Sequence, residues 1–354
     1  WTAGSGTHEI APLWIDLNGD GAPDLFVTSG GVEHPEGSPE LIDRLYLNDG
    51  SGGFRPAPAG MLPESLANSS VVAAADFDHD GHLDLFVGGS TVPGKYPLAS
   101  GSWLLKYRDG AFHSVAPEIA PALGTLGRVT SAIWSDVNND GWPDLLVATE
   151  WGPVRLFLNR EGRSLAEATV EAGFSDYTGW WNSIEAADVN QDGHMDYIVG
   201  NVGLNTPYRA SPVQSVRLYY GDFDESGQNQ LLEAYYADGR LLPRRNLTAL
   251  GSAMPFVRRL FLTTAKCGQA TLEEIVTLDQ ATAVSANTLA SGIFMNDGSG
   301  HFTFHELPRL AQVSPVFGIV ARDFDGDSFV DILLVQNFRG AQVEVPPFDG
   351  GRGL

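Results

Sequence analysis

One stretch decides the fold: DFDHDGHLD at residues 76–84, which runs directly into LFV at residues 85–87. Aspartate occupies every second place of its first half and returns at the ninth position, glycine stands at the sixth, and an apolar segment follows at once. Glycine permits the tight curl that such a loop needs, and the apolar segment suits a β-strand. The pattern predicts an acidic loop that joins two strands.

The same loop recurs along the chain. The clear copies are DLNGDGAPD at 16–24 (loop 1), DFDHDGHLD at 76–84 (loop 2), DVNNDGWPD at 136–144 (loop 3), DVNQDGHMD at 188–196 (loop 4) and DFDGDSFVD at 323–331 (loop 5). A degenerate loop, DFDESGQNQ, lies at 222–230, and successive loops start 60, 60, 52, 34 and 101 residues apart. A period of about 50–60 residues fits a four-stranded propeller blade with its connections.

Further segments supply the other strands of each unit. RLYLNDG at 44–50, SWLLKY at 102–107, VRLFLN at 154–159 and IFMNDG at 293–298 each indicate a strand that ends at a turn. We therefore predict an all-β fold: a single β-propeller over residues 1–354 built from four-stranded blades, seven being favoured over six. A helical insertion is expected within one blade at residues 244–280. From the residues at its two ends, we expect the sequence to be a piece of a longer polypeptide.

The loops concentrate oxygen atoms, which indicates a site for a hard cation. Side chains at positions 1, 3, 5 and 9 and the backbone carbonyl of position 7 are the candidate ligands, and oxygen-only donors select calcium over zinc or copper. The candidate metal ligands are Asp16, Asn18, Asp20, Ala22 and Asp24; Asp76, Asp78, Asp80, His82 and Asp84; Asp136, Asn138, Asp140, Trp142 and Asp144; Asp188, Asn190, Asp192, His194 and Asp196; and Asp323, Asp325, Asp327, Phe329 and Asp331. We expect about five Ca²⁺ sites.

The degenerate loop keeps Asp222, Asp224 and Ser226 but ends in Gln230, so it is expected to bind Ca²⁺ weakly or not at all. An EF-hand is excluded, because that motif needs a bidentate Glu at position 12 between two helices. Position 12 here is valine or leucine. The alternative that these aspartates only form turns is disfavoured, since an ordinary turn needs one or two of them.

Composition limits the function classes. The net charge of −23, from 44 acidic and 21 basic residues, excludes a nucleic-acid partner, since phosphates need a basic surface. The six loops hold 19 aspartates, so much of the acidic excess sits at fixed spacing. Cys267 is the one cysteine, which excludes an intrachain disulfide. No apolar run of about 18 residues is present, so no membrane insertion is expected.

These loops, together with VFG at 316–318, resemble the FG-GAP/VCBS repeats of integrin α-type propellers. GWWN at 179–182 and GNVGLN at 200–205 are similar to segments of bacterial secreted proteins related to cartilage acidic protein. The resemblance implies calcium in the loops, a secreted, periplasmic or cell-surface location, and a role in adhesion or binding. The degenerate loop and Ser328, where glycine is expected, depart from the pattern.

No catalytic residue is predicted, because the chain contains no nucleophile elbow, His-Glu-x-x-His or phosphate-binding motif. The alternative function is a carbohydrate-active enzyme, a polysaccharide lyase or glycosidase, on a propeller scaffold. For ligand binding, aromatic rings beside polar groups suggest a sugar-stacking surface. Its candidate residues are Glu150, Trp151, Trp180, Trp181 and Asn182. The competing interpretation, which is favoured, is that these tryptophans pack between blades.

The insertion is basic, with Arg240, Arg244, Arg245, Arg258, Arg259 and Lys266. It either docks an acidic partner or pairs with the acidic rim of its own propeller, and the sequence does not separate the two. The expected partners are a protein or glycan ligand, or other parts of a larger surface assembly.

Overall fold

A computed structural model of the protein describes residues 9–278, 281–340 and 347–352. The apolar residues after loops 1 to 5 form strands, each paired antiparallel with the strand before its loop. The first sheet contains β1 (Glu9–Ile15), β2 (Asp24–Ser29), β3 (Arg44–Asn48) and β4 (Phe54–Pro56). The second contains β5 (Ser69–Ala75), β6 (Asp84–Gly89), β7 (Trp103–Arg108) and β8 (Ala111–Ser114).

The third sheet follows the short helix α1 (Ala116–Ile119). It contains β9 (Val129–Ser135), β10 (Asp144–Gly152), β11 (Arg155–Asn159) and β12 (Leu165–Glu167), and β13 (Gly179–Trp180) pairs with the far end of β10. Single 3₁₀ turns lie at Pro39–Leu41, Pro121–Thr125, Phe174–Asp176, Leu272–Glu274 and Arg309–Gln312.

The fourth sheet is interrupted by a large insertion. It begins with β14 (Ser183–Ala187) and β15 (Asp196–Gly200), and residues 201–291 then form an insertion outside this sheet. The insertion contains β16 (Val216–Gly221), β17 (Gln230–Ala237), β18 (Arg240–Pro243), α2 (Leu247–Ala253), α3 (Val257–Leu260), α4 (Thr264–Gln269) and β19 (Thr282–Ala286). Its sheet has the order β18-β17-β16-β19. The fourth sheet resumes with β20 (Gly292–Asn296) and β21 (Phe302–Glu306).

The insertion explains the irregular spacing of the loops. The degenerate loop connects β16 to β17, so it belongs to the inserted sheet and not to the main series. The loop spacing predicts that it belongs to the main series and that the insertion occupies residues 244–280. The three helices lie within that range, of which residues 279 and 280 fall outside the described ranges. The intervals of 34 and 101 residues arise because β20 pairs with β15 across the whole insertion.

A fifth sheet pairs β22 (Val316–Arg322) with β23 (Asp331–Gln336). The first strands of the five main sheets lie side by side in the order β1, β5, β9, β14, β22. Buried apolar residues fill each gap between consecutive sheets, and the insertion has a core of its own. The predicted all-β class is confirmed. The described residues show no closed ring, so the number of blades stays a prediction.

No helix in the described part of the chain combines the length and the apolar character needed to cross a bilayer.

Candidate metal centres and ligand surface

The first aspartate of each loop accepts hydrogen bonds from the backbone of the same loop. In loop 3 the Asp136 carboxylate accepts the N–H of Asp140 at 3.0 Å and the N–H of Gly141 at 2.8 Å. The Asp140 carboxylate in turn accepts the N–H of Trp142, at position 7, at 2.9 Å. The same bond from position 7 to position 5 is made by Ala22, His82, His194 and Phe329. These bonds curl the chain so that alternate side chains converge.

Asparagine at position 3 braces the fifth position. Asn18, Asn138 and Asn190 each donate a side-chain N–H to the aspartate two residues on, at 2.8–2.9 Å. Loops 2 and 5 have aspartate instead. Their formal charge is therefore −4, compared with −3 in loops 1, 3 and 4.

In loops 1 to 4 the aspartate at position 9 is buried and fastens the loop to the third strand of its sheet. Asp24, Asp84, Asp144 and Asp196 are each 0% exposed. Asp144 accepts the N–H of Val137 at 3.0 Å and that of Asn159 at 2.6 Å. Burial raises the pKa of Asp144 to about 7; these two bonds lower it, and the nearby carboxylates raise it again. A cation beside this carboxylate would favour its charged form.

Loop 2 brings several carboxylate oxygens together, and two of them have no hydrogen-bond donor among the described residues. Carboxylate oxygens of Asp76, Asp78 and Asp84 lie within 4.8 Å of one another. Asp84 Oδ2 and Asp78 Oδ1 are buried, and neither has a hydrogen-bond partner in the described structure. Burial raises the pKa of Asp84 to about 7, and the charges of Asp78 and Asp80 add to the rise. Buried polar atoms without partners are rare in proteins, and a bound ion is one of their explanations.

Sequence reasoning missed one residue of this site, Lys106. Its Nζ contacts the carboxylate of Asp78 and lies 3.0 Å from Asp80 Oδ2. Lys106 precedes Tyr107, whose N–H donates to Asp84. In the first, third and fourth sheets the residue that donates in this way is asparagine, and it is preceded by Leu47, Leu158 and Met295. Loop 2 thus carries a cation of its own where the other sheets have an apolar residue.

Loop 5 is the most open of the clear copies. Oxygens of Asp323, Asp325 and Asp327 lie within 4.8 Å of one another, and all three residues are exposed. The bonds that Asp323 accepts from the N–H groups of Gly326 and Ser328 lower its pKa. Ser328 adopts a φ of 71°, a left-handed conformation that favours glycine. Loop 5 therefore keeps the loop geometry despite the substitution, at some cost in strain.

The degenerate loop is closed by an amide. Gln230 is 6% exposed, and its Oε1 accepts the N–H of Phe223 at 2.7 Å. Its Nε2 donates to Asp224 Oδ1 at 2.6 Å and to Ser226 Oγ at 3.1 Å. The Nε2 group of Gln230 donates hydrogen bonds to the loop oxygens that a cation would otherwise contact. This loop therefore does not fit a metal ion.

Neighbouring loops touch one another through position 4. The His79 ring of loop 2 stacks on the Trp142 ring of loop 3, with centroids 4.2 Å apart. Asn139 Nδ2 of loop 3 lies 3.0 Å from His194 Nδ1 of loop 4. Gln191 Nε2 of loop 4 donates to the carbonyl of Ser328 in loop 5 at 2.5 Å. Loops 2 to 5 therefore form one continuous row.

The proposed sugar-stacking residues are mostly used for packing. Trp181 is 0% exposed in the core between the third and fourth sheets, so it offers no face to a ligand. Trp151 is 9% exposed and meets Trp180 edge to face, with centroids 4.8 Å apart. Asn182 is half-buried, and its N–H donates to the carbonyl of Gly200 at 2.8 Å.

Glu150 is engaged as well. It forms an ion pair with Arg128 at 3.1 Å and accepts the hydroxyl of Tyr96 at 3.2 Å. Tyr96 Oη also accepts the indole N–H of Trp151 at 2.6 Å. Trp180 packs edge to face on Tyr208 of the insertion, 4.9 Å away. Trp151 and Trp180 therefore pack the insertion against the third sheet.

A cavity of about 510 Å³ lies between the insertion and the fourth sheet. Aromatic rings of Tyr177, Tyr208 and Phe304 line it, together with the polar side chains of Arg209 and Glu306. Aromatic walls with a few polar groups are typical of ligand sites. No local sequence pattern indicates this cavity, because its walls are brought together only by the insertion.

Comparison with known proteins agrees with the repeats. A family model described as FG-GAP-like repeat matches residues 16–87 and 136–199. A T-cell immunomodulatory protein homolog of Plasmodium yoelii yoelii is 28% identical over 154 residues, 40% of this chain and 20% of that protein. The chain therefore spans about a fifth of the curated relative it matches.

Two solved structures are also similar. The biofilm matrix protein Bap1 of V. cholerae is 12% identical, covering 97% of this chain and 68% of that one, with a TM-score of 0.35. A rhamnogalacturonan lyase of Bacillus licheniformis is 12% identical over 96% of this chain and 67% of that one, with a TM-score of 0.35. TM-scores of this size do not establish a shared fold. The family match, by contrast, covers loops 1 to 4, so FG-GAP-like repeats are found at residues 16–87 and 136–199 of this chain.

Proposed function

We propose that this chain is a calcium-binding β-propeller module that acts in binding, adhesion or assembly outside the cytoplasm, as a secreted, periplasmic or cell-surface protein. The observation that carries the proposal is the repeated loop, in which carboxylates converge around a buried aspartate. In loop 2 two buried carboxylate oxygens have no partner in the described structure. The ordered series of sheets supports the propeller architecture.

The donor set favours Ca²⁺. Each of loops 1 to 5 offers oxygens from positions 1, 3, 5 and 9 and the carbonyl of position 7, and Ca²⁺ takes six to eight such ligands. The residues that would hold it are those named for the five loops above. Ca²⁺ supplies positive charge, which relieves the repulsion among three or four carboxylates. Extracellular sites of this kind bind at about 10⁻⁴–10⁻³ M.

The role proposed for the metal is structural. The ninth residue ties each of loops 1 to 4 to a third strand, and position 4 ties loops 2 to 5 to one another. An ion in each loop would therefore stiffen a whole row of connections. This is the arrangement expected of a rigid platform that presents a binding surface.

The cavity between the insertion and the fourth sheet is the proposed ligand site. Tyr177 and Phe304, which are half-buried, can stack on a sugar, and Arg209 and Glu306 can bond hydroxyl groups. The alternative is a carbohydrate-active enzyme. Glycosidases use a pair of carboxylates, and Glu306 is the single acidic residue among the cavity-lining residues that the structure describes. Binding is therefore favoured over hydrolysis.

Two measurements test the proposal. Calorimetric titration with Ca²⁺ is expected to show about five sites, and chelation with EDTA is expected to lower the melting temperature; an unchanged melt and no binding heat would refute the metal assignment. A glycan and matrix-protein array, probed in about millimolar calcium and again in EDTA, is expected to show calcium-dependent binding to one ligand class. Loss of that binding in Glu306→Ala, a change at an exposed residue of the cavity wall, with the melt unchanged, would assign it to the cavity.

A further inference from the structure

Six of the chain's 21 basic residues lie in one stretch without a single acidic residue. Residues 239–272 contain no Asp or Glu, which leaves 15 basic against 44 acidic residues in the rest of the chain. The stretch covers β18 and the three helices of the insertion. A strongly acidic protein thus carries one compact region of positive charge.

Part of this region combines cations with exposed leucines. Arg258, Arg259 and Lys266 are exposed, and Leu260 and Leu262 are 53% and 85% exposed. None of the three cations forms an ion pair with any residue that the structure describes. We call residues 258–266 the basic apolar surface.

Neighbouring residues hold this surface in place. Val257 is fully buried and Cys267 is 1% exposed in the core of the insertion, and Phe261 packs against the same core. The N–H of Phe261 donates to the carbonyl of Val257 at 3.0 Å, which ends α3. Leu260 and Leu262 flank this anchored phenylalanine, so their exposure is fixed by the fold and is not a consequence of a frayed end.

We propose that the basic apolar surface docks the protein on an anionic lipid bilayer. The three cations can pair with lipid phosphates, and the two leucines can enter the boundary between headgroups and acyl chains. A soluble polyanion offers nothing apolar for the leucines to contact. The acidic remainder of the protein is repelled by such a bilayer, so the insertion faces the lipid and the acidic loops stay in water. The protein would lie on the bilayer and not span it.

The test is co-sedimentation with vesicles of phosphatidylcholine alone or with about 30 mol % phosphatidylglycerol, in EDTA and at about 0.1 M salt. Binding to the anionic vesicles alone is expected, and it should be lost at about 0.5 M salt because the charges are then screened. Each cation removed should weaken partitioning roughly fivefold. The double variant Arg258→Gln/Arg259→Gln should therefore bind about 25-fold more weakly, and Leu262→Ser should also bind more weakly.

The chain offers a matched control. Arg309 is exposed beside Leu310, which is 63% exposed, and both lie outside the insertion. Arg309→Gln and Leu310→Ser should leave vesicle binding unchanged, and circular dichroism confirms that each variant is folded. The proposal is overturned by absence of binding to the anionic vesicles, or by equal losses in the control variants. It is also overturned if heparin is bound with an affinity that Leu262→Ser does not change, because the partner is then a soluble polyanion. The EDTA keeps this outcome independent of calcium.

Discussion

Replacing Lys106 by methionine should raise the calcium affinity of loop 2 and of no other loop. Methionine is the residue that precedes the corresponding asparagine in the fourth sheet, at Met295, so the change imitates a side chain that this fold already accepts. In the native chain the ammonium lies against Asp78 and Asp80. It reduces the formal charge of loop 2 from −4 to −3, the value of loops 1, 3 and 4.

The size of the effect follows from the charges. A divalent ion about 5 Å from an ammonium is repelled by about 1.7 kcal/mol even at the dielectric constant of water. Displacing Lys106 from its two carboxylates adds to that cost, whereas its 23% exposure and salt reduce it. We therefore expect loop 2 of Lys106→Met to bind Ca²⁺ about tenfold more tightly, since 1.4 kcal/mol corresponds to a factor of ten.

Hydrogen–deuterium exchange with mass spectrometry resolves the loops individually. Protection of a peptide covering residues 76–87 is followed against calcium concentration, with residues 136–147 as the internal reference. Lys106→Met should shift the midpoint of the first peptide and leave that of the second in place. Lys95→Met is the control, because Lys95 pairs with Glu36 at 2.7 Å on the surface and with none of the loop carboxylates.

The result that refutes the reasoning is a pair of unshifted midpoints in a variant that still binds calcium. That result would mean that displacing the Lys106 ammonium does not change the free energy of calcium binding to loop 2. In EDTA, Lys106→Met should make loop 2 less protected from exchange than in the native chain. The reason is that the loop then has neither Ca²⁺ nor the Lys106 ammonium to neutralise its carboxylates.

Three further predictions concern other sites. The double change Ser226→Asp/Gln230→Asp should create an additional calcium site in the degenerate loop, counted by calorimetry, because it replaces the amide N–H with carboxylate oxygens; an unchanged stoichiometry would contradict the assigned role of Gln230. Burial raises the pKa of Asp43 from 3.8 to about 7. Between these two pH values Asp43 is protonated in the folded chain and ionised in the unfolded chain. Its contribution to stability falls as pH rises from about 4 through 7, by roughly 2–3 kcal/mol between pH 5 and 8. Urea unfolding in EDTA should show this slope, and Asp43→Asn should reduce it. Trp181→Ala should destabilise the fold by about 3–5 kcal/mol, measured by urea unfolding, with no change in the affinity of any array ligand in folded protein.

The acidic loops and the strands beside them could be predicted because their signal is local. The sequence segment at 85–87 forms part of β6, and the segments expected to supply further strands form β3, β7, β11 and β20, all confirmed. A nine-residue pattern with an apolar flank needs no knowledge of distant partners.

The extent of the insertion could not be predicted, because it depends on which strands pair. The degenerate loop has the same spacing as the others, and only the pairing of β15 with β20 shows that it lies outside the main series. Lys106 was missed for a similar reason: it joins loop 2 through the register of β6 and β7, 22 residues beyond the last residue of that loop. For Trp181 the sequence favoured packing between blades over a surface role, and the structure agrees, since this side chain is 0% exposed.

The interrupted fourth sheet has a consequence for synthesis of the chain. β15 ends at Gly200 and its partner β20 begins at Gly292. One edge of β15 therefore stays unpaired until the 91 intervening residues have been synthesised. At roughly 5–20 residues per second a ribosome needs about 5–20 s to deliver them. During that time an apolar strand edge is open to pairing with another nascent chain. The sheet of the insertion is completed only by β19, which ends at Ala286, shortly before β20 begins at Gly292. The inserted sheet and the fourth sheet are therefore completed almost together, late in this interval.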